Sequence, residues 1–185
     1  MNVTDAAAAS PVDSAPWVRE HVRAIADYPK PGVTFRDITP LLGDSAAFGR
    51  SVDDLVTRFG DTRVDRVVGI ESRGFILAAP VAYRLRAGFV PVRKAGKLPW
   101  AVAREEYDLE YGTDKLEIHR DAIHPGEKIL IVDDVLATGG TAAAAGRLVS
   151  TLGGDIVGFG FLLEIDSLEG RGKLTCPRIE SLTRY

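Results

Sequence analysis

The stretch from Ile129 to Leu152 leaves this chain few folds to choose from. Ile129-Leu130-Ile131-Val132 is apolar and mostly β-branched, as a strand buried on both faces must be. Asp133 and Asp134 follow at its C-terminal end. The loop Ala137-Thr138-Gly139-Gly140-Thr141 then leads into the alanine-rich run Ala142 to Leu152, which reads as a helix. Strand, acidic step, small loop and helix in that order describe one unit of a parallel α/β sheet. Gly139 and Gly140 let successive backbone amides converge, Thr138 and Thr141 add hydroxyl donors, and the helix contributes the positive end of its dipole. Such a loop can cradle a monophosphate. Asp133 and Asp134 only accept hydrogen bonds at neutral pH, so beside a phosphate they suit the vicinal hydroxyls of a sugar, or a divalent cation. Phosphate plus diol describes a phosphosugar. The spacing matches neither the G-x-G-x-x-G dinucleotide fingerprint nor the G-x-x-x-x-G-K-[ST] nucleotide loop.

The rest of the chain repeats the same alternation. Pro16 opens a helix in which Val18, Val22 and Ile25 recur at i, i+4 and i+7, ending before Pro29. Three prolines and a glycine exclude helix from Tyr28 to Leu42, a segment nonetheless rich in apolar and aromatic residues. Ser45 caps a helix to about Phe59 with Phe48, Val52, Leu55, Val56 and Phe59 on one face. Val64–Ile70 is a strand ending in Glu71-Ser72-Arg73-Gly74, Phe75–Leu85 a helix, Phe89–Val92 a strand and Ile156–Glu164 another. Tyr107–Tyr111 and Leu116–His119, joined by Gly112-Thr113-Asp114, form a two-stranded arm beside a strand end, placed as a lid would be. Ligands of parallel sheets bind beyond the carboxyl ends of the strands, where Glu71–Gly74, Arg93–Lys97 and Asp133–Thr141 all fall.

With 185 residues and 45% hydrophobic content, one sizeable core is expected, spanning residues 16–185 after a disordered tail over 1–15. A net charge of −3 offers nucleic acid and anionic membrane no general attraction. Cys176 stands alone, so no intrachain disulfide and no cysteine metal site can form. The opening residues lack a signal-peptide pattern and no apolar run spans a bilayer, which predicts a cytoplasmic protein. His21, His119 and His124 carry no metal-ligand spacing.

The hydrophobic strand, paired acids and Thr-Gly-Gly-Thr loop together resemble the 5-phosphoribosyl 1-diphosphate (PRPP) signature of type I phosphoribosyltransferases. Pro31–Pro40, Gly69–Phe75, Arg93–Pro99, Tyr107–Gly112 and Leu116–His119 occur in the family's order and are most similar to its adenine-using branch. The resemblance implies a type I phosphoribosyltransferase fold: a central, mostly parallel twisted sheet flanked by helices, a small hood over about 28–44 and a flexible arm over about 94–119. It implies the transfer of a phosphoribosyl group from PRPP to adenine, giving AMP and diphosphate, with Mg²⁺ carried mainly by PRPP and no dedicated protein metal ligands. Asp133, Asp134, Ala137, Thr138, Gly139, Gly140 and Thr141 would then hold ribose and 5′-phosphate, and Arg73, Arg93, Lys94 and Lys97 the diphosphate. Phe35 would stack on the base, with main-chain groups near Thr34 and Arg36 reading its edge and Ile165 facing it. Arg36 could equally pair with Asp37. Glu110 is the expected proton-handling residue, and a homodimer is implied because the Arg93–Lys97 segment serves the diphosphate partly across an interface. Enzymes for hypoxanthine, guanine, xanthine or orotate, and a PRPP-sensing regulator, are the competing readings.

Overall fold

The structure, a computed structural model, describes residues 15–108, 113–176 and 178–185. Two small strands, β1 (Arg23–Ile25) and β2 (Phe35–Asp37), pair antiparallel by themselves. Helices α1 (Thr39–Gly43) and α2 (Ser45–Phe59) follow, then β3 (Arg66–Ile70), α3 (Arg73–Leu85) and β4 (Gly88–Lys94). The arm is β5 (Val102–Asp108) and β6 (Thr113–His119). Then come β7 (Lys128–Leu136), α4 (Gly140–Thr151), β8 (Asp155–Glu164) and β9 (Ile179–Arg184). The main sheet has seven strands in the order β5-β6-β4-β3-β7-β8-β9. The five strands β4, β3, β7, β8 and β9 run parallel, while β6 and β5 add antiparallel at the β4 edge.

Alternation along the central strands divides the core into two layers. Leu130 and Val132 of β7 pack with Leu55 and Phe59 of α2 and Leu77 and Val81 of α3. Ile129 and Ile131 face the other way, against Ala144, Ala145, Leu148 and Val149 of α4. This two-faced cover explains the unbroken apolar run in β7. Among the described residues no helix is long and apolar enough to cross a membrane.

Several local expectations are corrected. The Val18, Val22, Ile25 periodicity does not make one helix: a 3-10 turn spans Pro16–His21, Val22 is extended, and Arg23–Ile25 pairs with Asp37–Phe35. A partner strand twelve residues away outweighs a weak local pattern. The proline-rich hood does contain a helix, because Pro40 sits in the first turn of α1, where its missing N–H costs nothing. Asp44, not Ser45, caps α2, its carboxylate accepting from the amides of Ala46 at 3.0 Å and Ala47 at 2.8 Å. Ala15, placed by the sequence in the tail, is 1% exposed within the α2–α3 core layer. The arm continues the main sheet, for β6 pairs with β4 through Arg93↔Glu117 and Lys94↔Leu116, and Tyr107, Leu116 and Ile118 enter the core.

Candidate active site

Strand β7 runs past its apolar segment through both acids to Leu136, held by β8 through Asp133↔Phe161, Val135↔Leu163 and Leu136↔Glu164. The acids are therefore strand residues, not a turn after it. Both meet the first turn of α3. Asp134 Oδ2 lies 2.7 Å from Arg73 Nε, and a methyl on Gly74 would come within 2.5 Å of Asp133 Oδ1, so only glycine lets that carboxylate lie there. Beyond Leu136 the chain turns at Gly139, whose φ of +77° is a left-handed conformation that favours glycine, and α4 starts at Gly140. The amides at the head of α4 thus open toward the same space as the acids.

Although part of the residue reaches solvent, burial of its carboxyl and the neighbouring Asp134 charge push Asp133 well above the ordinary value of 3.8. An acid raised in the folded state stabilises least at neutral pH: the penalty is absent below 3.8 and grows as pH rises toward the folded value. Asp133→Asn is accordingly expected to raise the Tm of the ligand-free protein at pH 8, with the gain vanishing near pH 4. Thermal melts across that range check it, and a Tm lowered at pH 8 would contradict it.

Opposite the loop stands a group of cations organised by Glu71, whose side chain is 11% exposed. It accepts from the Lys94 amide at 3.0 Å and pairs with Arg93 Nε at 3.2 Å and Lys97 Nζ at 3.2 Å. Burial alone would raise its carboxyl; the Lys94 amide, Lys97 and Arg93 overcome that and hold it below the usual range. Lys94 Nζ reaches Asp114 of the arm at 3.2 Å. Across the cleft Phe35 meets Tyr28 edge to face at 5.3 Å, with the Arg73 guanidinium 5.4 Å from its ring centre. A cleft of about 1230 Å³ joins hood, loop and cations, large enough for a nucleotide with a leaving group.

A family profile described as "Phosphoribosyl transferase domain" matches residues 44–176. An adenine phosphoribosyltransferase of Acidothermus cellulolyticus is 53% identical over 174 residues, covering 94% of this chain and 98% of that one. The chain belongs to the adenine phosphoribosyltransferase family. Among solved structures, the family member from Thermoanaerobacter pseudethanolicus superposes with a TM-score of 0.88 at 48% identity, over 91% of this chain and 98% of that one. The Saccharomyces cerevisiae member, solved with adenine and an imino-altritol bisphosphate, gives 0.85 at 39% identity over 90% and 96%.

Most of the residues that likeness to the adenine phosphoribosyltransferases singles out meet in one cleft. Thr34, Phe35, Arg36, Arg73, Lys94, Lys97, Asp133, Asp134, Ala137 to Thr141 and Ile165 all line it. Arg93 does not: within this single chain its guanidinium is turned onto Glu71 and the Lys97 carbonyl. Glu110 lies outside the described residues. Arg36 stacks 4.1 Å over the Tyr185 ring, while Asp37 takes Thr39 and Arg23, so Arg36 is a cleft residue rather than Asp37's partner. Sequence reasoning brought Glu71 and Tyr107 to the site region without giving either a role, and missed Asp114 and Tyr185 as lining groups. Asp114 lies within β6 opposite Tyr107 rather than in the connecting turn, and nothing local marks Tyr185.

Proposed function

We propose that this chain joins adenine to the phosphoribosyl group of PRPP, releasing diphosphate and AMP, as a purine salvage enzyme of the cytoplasm. The observation that carries this reading is the single cleft in which an aromatic hood, two sugar-facing acids, a phosphate loop and a cation group converge; family membership selects adenine as the base. In the reaction the bond from C1′ to the diphosphate oxygen breaks and a bond from C1′ to adenine N9 forms. Negative charge develops on the leaving diphosphate while the ribose ring becomes cationic, and the base gives up its N9 proton. Lys94 and Lys97 face the first charge and Asp134 the second, with Asp133 beside it, and fixed charges aimed at a developing charge lower the barrier without reorganising. Glu71 keeps the cations together before the diphosphate arrives, which saves the cost of gathering them.

Among the described residues no trio of His, Cys, Asp and Glu gathers as a metal site, and Asp134 is engaged by Arg73 while Asp133 resists ionisation. That donor set fits Mg²⁺ delivered by PRPP, with these acids at most touching its waters, rather than a resident ion. Mg²⁺ so bound neutralises charge on the leaving diphosphate. A homodimer is supported by exposed Ile76, Tyr83 and Phe89 on α3 and β4.

Diphosphate release measured with PRPP and Mg²⁺ against a panel of bases tests the reading. Turnover with adenine well above that with hypoxanthine, guanine or orotate is expected; faster turnover of hypoxanthine would overturn it.

A further inference from the structure

The phosphate loop carries no cationic side chain of its own, so its grip depends on how well backbone amides and two hydroxyls are aimed. Something must fix that aim from behind. The backbone of Gly170, which opens a 3-10 turn over Gly170–Lys173, is buried directly against the loop. A methyl on Gly170 would overlap the Ala137 carbonyl oxygen and fall 2.8 Å from the Gly139 nitrogen, and a methyl on Gly139 would overlap the Gly170 carbonyl. Two segments without Cβ atoms thus touch main chain to main chain. Gly172, two residues on in the same turn, would meet nothing within 4 Å, so the turn itself makes no such demand.

Arg171 holds this turn in place. Its Nε and one terminal nitrogen fork onto Glu164 at 3.0 and 2.6 Å, and the other donates to the Ile179 carbonyl at 2.7 Å. Glu164 is 3% exposed at the end of β8, and it also accepts from Ser181 Oγ at 2.6 Å. Burial would raise its carboxyl, but Arg171 and Ser181 outweigh that and keep it ionised. The next residue, Ile165, donates its amide to the Leu136 carbonyl at 2.9 Å, tying the same strand end to the strand that launches the loop.

We infer that the Glu164–Arg171 pair presses Gly170 against Ala137 and Gly139 as a buttress, making Gly170 and Arg171 positioning residues for the 5′-phosphate subsite although neither touches substrate. The inference rests on reading that loop as the phosphate site. Displacing the loop by a fraction of an ångström misaims several amides at once, while the hood and the cations, built on other elements, stay where they are.

The test is calorimetric titration of the full chain with AMP and with adenosine, beside steady-state kinetics, for wild type, Gly170→Ala, Arg171→Lys and Gly172→Ala. Gly170→Ala is expected to weaken AMP binding and raise the PRPP KM by about tenfold or more, with adenosine binding, adenine KM and kcat within about threefold of wild type. Arg171→Lys, which keeps the charge and loses the fork, shifts the same quantities in the same direction by less, and decides the question alone should Gly170→Ala fail to fold by circular dichroism. Gly172→Ala matches wild type. A preference for AMP over adenosine that survives undiminished in the folded variants overturns the buttress. A wild-type protein that binds AMP no tighter than adenosine overturns the loop assignment, and the buttress with it.

Discussion

Glu110→Ala is expected to lower kcat by about 10²-fold or more, the usual worth of a positioned acid–base group, while PRPP and AMP affinities stay within about threefold of wild type. Bond formation at N9 obliges the base to lose a proton, and among the described residues of the cleft wall there is no obvious group to take it. Asp133 lies against Gly74 of α3, Asp134 is paired with Arg73 and Asp114 with Lys94, and Glu71 is saturated by Arg93, Lys97 and the Lys94 amide. The connection from Asp108 to Thr113 carries Glu110, between two strands whose Tyr107 and Asp114 already line the cleft. Single-turnover measurement of AMP formation separates chemistry from release. A pH profile that loses its acidic limb in the variant supports proton transfer by this carboxyl, and an unimpaired single-turnover rate removes Glu110 from the mechanism.

Asp134→Asn is expected to cost PRPP and AMP about 10- to 10²-fold in affinity with a smaller change in kcat. A carboxylate accepting a sugar hydroxyl is worth about 1.5–3 kcal/mol more than a broken contact, which converts to that range. The amide preserves the shape of a residue only 5% exposed but replaces one of two acceptor oxygens with a donor and removes the charge facing Arg73, whose 41% exposure lets water compensate. Titration with PRPP and Mg²⁺ checks it. Unaltered affinity in Asp134→Asn beside a large loss in Asp133→Asn would transfer the direct ribose contact to Asp133.

The centre of the molecule was legible because its causes are local. Ile129–Val132 is apolar since both faces of β7 are covered, and Gly139 is glycine since its φ is positive. The end of that strand was less so: the apolar run stops at Val132, yet β8 continues the ladder to Leu136, and pairing partners do not show in a single sequence. The same blindness turned β1, which exists only because Phe35–Asp37 lies beside it, into the tail of a helix. Among the expected site residues, those on strand ends and the glycine loop come together in one cleft because their position in the fold is local. Which way Arg93 turns could not be read, because a cation at a strand end can face either the cleft or a neighbouring acid, and within this chain it pairs with Glu71. Tyr185 reaches the cleft through the order of strands β7, β8 and β9, a global property. Nothing in the sequence marks Gly170; only its contact with Ala137 and Gly139 gives it meaning.

A crystal structure of this chain with AMP bound puts all of this at stake at once. The expected density places the 5′-phosphate against the amides of Ala137 to Thr141, the ribose hydroxyls beside Asp133 and Asp134, and adenine on the Phe35 ring. A phosphate seated among Lys94 and Lys97 with the loop unengaged, or a base bound away from the hood, would contradict it.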